Sequence, residues 1–398
     1  MSDFETESRR AYRGWRIVAV CFVAAVFSWG LGFYGQSVFL AELIRAHGWS
    51  TSLVSIAFTA YYLASAVMVA FVGDAIARIG ARNVLLVGAL AFAASTAALG
   101  ALDRPWQLFA ALLVMSVGWA AMSVGAISAI VSLWFQARRG LAIAIALTGA
   151  SAGGILVVPP LQALIHAVGF ARGALIAAAV MLAVLAPLAF LVGRPPAPAA
   201  AGAASAPAEW TRARAARSPA FWSVTLPFMI LFTTQVAFLV HEVAVFTPRL
   251  GATGASYAVA LTAGAAIAGR LVLGAFIDRL DVRLAAGVSV ATQAAAMGLA
   301  AYAQDAAALY LAAAVYGLSV GNVVILPTLI FQREFQAASF TTLMAFQSAL
   351  CQFSSAFGAA ALGLLRDAAG GYAGPLLISA ALNLAAGALI AVWRPRLR

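Results

Sequence analysis

Arg270 stands inside an apolar stretch, eight residues from the next charge, Asp278. The chain contains no lysine, and its other arginines lie at the edges of hydrophobic spans or in loops. A charged side chain in hydrocarbon costs at least about 2.5–3.5 kcal/mol on insertion scales, so it faces a bundle interior or a wet cavity. The guanidinium keeps its proton, and its planar fork matches a carboxylate. Such an arginine points to an anion site. Ala263, Ala266 and Gly274 share its helical face at i−7, i−4 and i+4, which would leave room for a small molecule. The competing structural reading turns Arg270 toward the following loop, about 12 Å away, to pair with Asp278 or a backbone carbonyl.

His241 and Glu242 are the next groups with chemistry. Histidine titrates near neutrality, and Glu242 is the acid placed most firmly inside a span. Neighbours on a helix point about 100° apart, so one of the two faces the interior. Their structural alternative is a hydrated pair in an outer vestibule. Tyr34, Asn322 and Gln347 are candidate ligand contacts, as are Gln36, Tyr61, Tyr62 and Gln352. Each alone serves equally as a helix–helix hydrogen bond. No phosphate-cradling G-x-x-x-x-G-K-[ST] run is present, so ATP-driven transport by this chain is not expected. Three scattered histidines give no metal spacing, and Cys21 and Cys351 fall in apolar spans. No nucleophile–base pair stands out. Neither a metal, a cofactor nor an enzymatic activity is expected.

The elements that must hold these residues follow from composition. The chain has 398 residues, 64% of them hydrophobic and 9% charged, with a mean hydropathy of +0.98. Its principal solvent is therefore lipid. Windows long enough to cross hydrocarbon predict twelve spans, near 17–40, 51–72, 83–102, 106–133, 141–165, 173–192, 220–246, 256–277, 284–303, 307–330, 340–365 and 373–392. The apolar runs lack barrel-strand alternation, so the spans are helices and the fold is all-α. Pro159, Pro160 and Pro327 are expected to mark kinks.

With the N-terminus cytoplasmic, eighteen arginines fall on that side and five on the other. This bias predicts a multi-pass protein of a bacterial inner membrane with both termini inside. It also explains the net charge of +11 without nucleic acid. No removable signal peptide is expected in the polar N-terminal stretch. Residues 193–219 read as a cytoplasmic linker between bundles at 1–192 and 220–398. Within it, Glu209 to Arg217 is predicted to form a short basic helix on anionic lipid headgroups. Ser218 and Pro219 then open the seventh span.

The two halves echo each other. Gly73, Arg78 and Arg82 recur as Gly274, Arg279 and Arg283, each displaced by 201 residues. The run LWFQ at 133–136 parallels LIFQ at 329–332. A duplicated six-helix unit with a cavity between its copies is a transporter architecture.

At this point the chain resembles the major facilitator superfamily. Its loop pattern, roughly G-x-x-x-D-R-x-G-R-[RK], is matched by GDAIARIGAR from Gly73 to Arg82, where Ala77 takes the place of the acid and Asp74 lies nearby. GAFIDRLDVR from Gly274 to Arg283 keeps Asp278 and Arg279. The resemblance implies gating-loop roles for Gly73, Asp74, Arg78, Arg82, Gly274, Asp278, Arg279 and Arg283. A narrower similarity, to monocarboxylate porters, rests on WFQARRGLAIAIALTG from Trp134 to Gly149 and on Gly14–Trp15.

In those porters an arginine of the eighth helix binds the substrate carboxylate, and Arg270 holds the matching position. The acid usually found one turn earlier is Ala266 here, which leaves His241 and Glu242 for proton coupling. The eleventh span carries no fixed cation for a second carboxylate. The implied protein is a secondary transporter of a small organic anion, a monocarboxylate, working by alternating access with possible proton symport. Arg270, His241, Tyr34, Asn322 and Gln347 would contact substrate, and the family implies a monomer. The alternatives are a major facilitator efflux transporter and a non-transporting membrane sensor.

Overall fold

The computed structural model describes residue 7 and residues 12–135, 138–193, 210–276, 279–335 and 339–395. Eleven of its helical stretches are long and apolar enough to cross a bilayer. One of them, Pro219–Gly274, has 56 residues. At 1.5 Å per residue it would run about 84 Å, far beyond the roughly 30 Å of hydrocarbon. It contains Pro248 and a non-helical Gly251 at φ 67°, ψ 169°, a conformation that suits glycine. The stretch is therefore two spans, the seventh and eighth, and the crossings among the described residues number twelve.

Several spans are broken where the sequence weakens the backbone ladder. The first runs continuously over Gly14–His47, with a π-helical turn at Gly30–Tyr34. The fourth breaks at Met122, and Ser123 caps its second segment by accepting from the Ala126 amide at 3.3 Å. The fifth breaks at Val157, so Pro159 and Pro160 open the next segment. The eleventh breaks at Phe357. Pro327 lies within the unbroken helix Ala306–Glu334.

The chain divides into two compact units. One comprises Met1–Trp49 and Ala60–Ala201, the other Ser50–Thr59 and Gly202–Arg398. Inside the first, span five packs on span one through glycines: a Cβ at Gly149 would sit 2.2 Å from the Phe22 carbonyl, and one at Gly153 would sit 2.5 Å from that of Val26. The two stretches that carry the porter similarity also meet. The Trp15 ring lies 4.9 Å from Phe135, edge-on, and Gly14 leaves no room for a side chain beside Tyr12 and Phe135. Tyr12 donates its hydroxyl to the Trp134 carbonyl, and Glu7 accepts from the Arg138 amide at 2.7 Å.

In the second unit, spans eight and ten touch backbone to backbone. A Cβ at Gly321 would lie 1.9 Å from the Ala266 carbonyl, one at Gly317 would lie 2.3 Å from that of Thr262, and one on Gly269 would lie 2.2 Å from that of Leu318. Small residues permit this approach in lipid, where packing supplies much of the drive for association. Gly321→Ala is expected to force the two spans apart and cost about 1–3 kcal/mol, seen as a lower melting temperature in detergent.

Candidate functional site

Arg270 is placed by this seam. Its Nε points at the Gly321 carbonyl at 3.5 Å, the outer limit of a hydrogen bond. The residue is half-buried, and no ion pair to it is found among the described residues. Asp278 lies outside the described residues. Ala263 and Ala266 are fully buried, and the backbone at Ala266 serves the contact with span ten rather than leaving a void. Gly274, one turn beyond Arg270, has open space where a Cβ would stand.

Glu242 is fully buried in span seven. Its Oε1 lies 2.5 Å from Thr262 Oγ1, and that hydroxyl is also 3.2 Å from the Ala313 carbonyl. Oε2 is buried without a partner. The geometry accommodates the group with or without its proton. The ionised carboxylate accepts the threonine proton, whereas the neutral acid donates to Oγ1 and frees the threonine proton for Ala313. Thr262, Ala266 and Arg270 follow one another at intervals of four on span eight, so Glu242 touches the stripe that carries Arg270, two turns away.

His241 is also fully buried, but its ring is satisfied. Nε2 lies 3.1 Å from the Ala359 carbonyl and 3.2 Å from Ser55 Oγ, while Nδ1 lies 3.0 Å from the Tyr372 hydroxyl. A carbonyl only accepts, so Nε2 carries the proton and Tyr372 donates to Nδ1. Counting along the two helices from Gly251, His241 and Arg270 differ in depth by about 13 Å. They form no shared contact. Beside His241, Asp367 accepts from the amide and hydroxyl of Ser52 at 2.8 and 2.5 Å.

Asn322 follows the carbonyl that Arg270 touches, yet its Nδ2 turns to Ser289 of span nine at 3.3 Å and its Oδ1 is buried without a partner. Gln347 bonds within its own helix to Cys351 Sγ at 3.0 Å. Tyr34 belongs to the first unit, buried in the π-helical turn with its ring 5.3 Å from Phe33. Nearby, Tyr62 donates to Gln36 Oε1 at 2.8 Å and Tyr61 to the Gly32 carbonyl at 3.1 Å. The Gln36 amide nitrogen is left buried and unpartnered.

The duplicated loop motif takes two different forms. Its first copy is a short helix, Val72–Ile79, with Gly73, Asp74 and Arg78 exposed. The chain turns at Gly80, φ 83°, and Arg82 then stacks 4.0 Å over the Phe190 ring. In the second copy Arg279 is exposed, whereas Arg283 is 3% exposed and fully engaged. It binds both carboxylate oxygens of Glu334 at 2.6 and 2.7 Å, the Ile390 and Trp393 carbonyls, and Ser223 Oγ. One guanidinium thus ties spans seven, nine, ten and twelve together.

Close by, Arg394 pairs with Asp281 at 2.7 Å and holds that carboxyl below the usual carboxylate range. Arg283→Gln is expected to destabilise the unit by about 2–3 kcal/mol. That is less than a fully buried pair loses, because water reaches Glu334. Thermal unfolding in detergent measures it.

Among the described residues, twelve membrane-crossing helices fall in two compact units with small-residue seams, and an intramembrane arginine has no ion pair, an arrangement that marks a multi-pass membrane protein of the solute-carrying kind. The Major Facilitator Superfamily model matches residues 20–359, and the chain belongs to that superfamily. It is an integral multi-pass membrane protein and a secondary transporter, and its family is not one of enzymes.

Among curated proteins it is similar to human "Monocarboxylate transporter 11", at 29% identity, covering 96% of this chain and 83% of that one. Among solved structures it superposes on a bacterial homologue of the human lysosomal transporter Spinster with a TM-score of 0.77, at 12% identity and covering 97% and 98% of the two chains. It also superposes on the nucleoside transporter NupG with a TM-score of 0.76, at 14% identity and covering 96% and 100%. These two likenesses concern the fold alone.

Proposed function

We propose that this chain carries a small organic monocarboxylate across a bacterial inner membrane by alternating access, with both termini cytoplasmic and the monomer as the working unit. The observation that carries the reading is the state of Arg270, a fixed cation in a membrane-crossing helix with one 3.5 Å backbone contact and no ion pair among the described residues. An unpaired cation at membrane depth is costly, and a substrate carboxylate gripped by the guanidinium fork offsets that cost. The similarity to a monocarboxylate transporter over nearly the whole chain supports the same substrate class. Span eleven offers no second fixed cation, which favours one carboxylate over two.

Proton symport fits the electrostatics, because an anion moved with a proton carries no net charge through the bilayer. Of the two titratable neighbours, Glu242 suits the coupling role better than His241. Its hydrogen-bond partners serve both protonation states and it borders the stripe of Arg270, whereas the His241 ring is already satisfied. Uptake of labelled monocarboxylates into proteoliposomes under an imposed pH gradient tests the reading. Uphill accumulation is expected, and a well-folded protein that moves none of them would refute it.

A further inference from the structure

Thr262 stands where two acceptors compete for one proton. Its Oγ1 lies 2.5 Å from Glu242 Oε1 and 3.2 Å from the Ala313 carbonyl of span ten. A hydroxyl has a single proton to donate, and an ionised carboxylate only accepts. The hydroxyl therefore serves Glu242 when that group is ionised and Ala313 when it is neutral. Both side chains are fully buried, where such a bond weighs most. The threonine also begins a seam that ends at Arg270. Thr262, Ala266 and Arg270 recur every fourth residue on span eight, as Ala313, Gly317 and Gly321 do on span ten. The two stripes are in register. Thr262 reaches Ala313 through its hydroxyl, a Cβ at Gly317 would lie 2.3 Å from the Thr262 carbonyl, and one at Gly321 would lie 1.9 Å from that of Ala266. Arg270 then meets the Gly321 carbonyl. Backbones this close leave little slack between the first contact and the last. Of the other titratable neighbours, Tyr316 of span ten is turned to Gln293 and the Gln235 carbonyl, and His241 to Ala359, Ser55 and Tyr372. Among the described residues no ion pair involves Glu242.

We infer that Thr262 is the positioning residue through which a proton on Glu242 tightens the Arg270 site, an inference that rests on Arg270 gripping the transported anion and Glu242 carrying the proton. Protonation turns the Glu242 acid toward Oγ1 and releases the threonine O–H to Ala313, which adds a bond between spans eight and ten. Loss of that proton to water draws the O–H back to the carboxylate, and the bond across the seam is given up. No proton leaves the threonine in either direction. Because linkage is reciprocal, a proton that raises anion affinity is itself held more tightly once the anion is bound. The anion and the proton then travel together.

Equilibrium binding of labelled acetate, lactate and benzoate to the purified full-length protein provides the test, from about pH 6 to 9, where all three probes stay ionised. For whichever probe binds, wild-type affinity should rise about fivefold as pH falls. Thr262→Val keeps the branched shape without the hydroxyl and should bind with the same affinity at every pH. Thr262→Ser keeps the hydroxyl and should keep the response. A wild-type pH response in the valine variant, or none in the serine variant, overturns the proposal. Infrared difference spectra read the same link without substrate. The Glu242 carboxyl band, assigned by its absence in Glu242→Gln, should move to higher frequency in Thr262→Val, and a band that stays put overturns the proposal. Binding of no probe, beside a shifted band, overturns the anion site and the coupling built on it but leaves the Glu242–Thr262 bond standing, so the two failures are told apart. If the valine variant fails to fold, the wild type decides: the pH midpoint of binding must coincide with that of the Glu242 band, and separate midpoints overturn the proposal.

Discussion

Replacing Arg270 by alanine is expected to abolish saturable uptake of a monocarboxylate while leaving the protein folded. Among the described residues the guanidinium makes one long contact, to Gly321, so little of the described structure depends on it. Truncating one partner of a desolvated, hydrogen-bonded charge pair costs about 3–4 kcal/mol, or two to three orders of magnitude in affinity. Arg270→Lys keeps the charge but loses the fork. Loss of one charge-assisted hydrogen bond, about 1.5 kcal/mol, predicts a decline of roughly tenfold. Full uptake by the lysine variant would exclude bidentate recognition. Equilibrium binding beside initial uptake rates would distinguish a lost site from a blocked cycle.

The second large effect is expected from Glu242→Gln, and it is one of coupling rather than binding. A gradient of one pH unit drives about tenfold accumulation when one proton accompanies each anion. The glutamine variant cannot carry that proton, so accumulation should fall to about the equilibrium level. Exchange of labelled for unlabelled substrate should persist, because Arg270 is untouched. His241→Gln, by contrast, removes a ring held between Ala359, Ser55 and Tyr372. It should lower the melting temperature and leave the accumulation ratio intact. If the pH profile of uptake is unchanged in both variants, neither residue couples transport to protons.

Hydropathy reports the solvent around a segment, and for that reason the spans were legible. Twelve apolar runs correspond to twelve crossings, and the arginine repeat displaced by 201 residues located the matching loops. Pairing was much less legible. Arg82 and Arg283 occupy equivalent places in the repeat, yet one stacks on Phe190 and the other is buried in a network with Glu334. Glu334 lies at the end of span ten, where an acid ordinarily meets water, so nothing in the sequence signals its partner 51 residues away. Thr262 was hidden for another reason: a threonine in a membrane helix most often bonds its own backbone, and only the packing of span seven brings Glu242 to it.

Ala266 and Gly321 illustrate a third limit. A small side chain on a predicted face has two uses, to leave space or to admit a neighbouring backbone, and the sequence does not choose. Here the 1.9 Å clearance to a Cβ at Gly321 shows that it admits span ten. The helix at Val72–Ile79 was missed because eight residues after an apolar span read as a loop once charge returns. The basic helix before span seven was visible from its arginines, although the structure confines it to Arg212–Ala216.

The central claim is that Arg270 recognises a single carboxylate. The most direct test is proteoliposome uptake of a labelled monocarboxylate beside its neutral amide analogue, matched in size, under an inward proton gradient. The acid should accumulate against its gradient and the amide should neither accumulate nor compete. Equal transport of the amide, or efficient transport of the acid without Arg270, would contradict an arginine–carboxylate site.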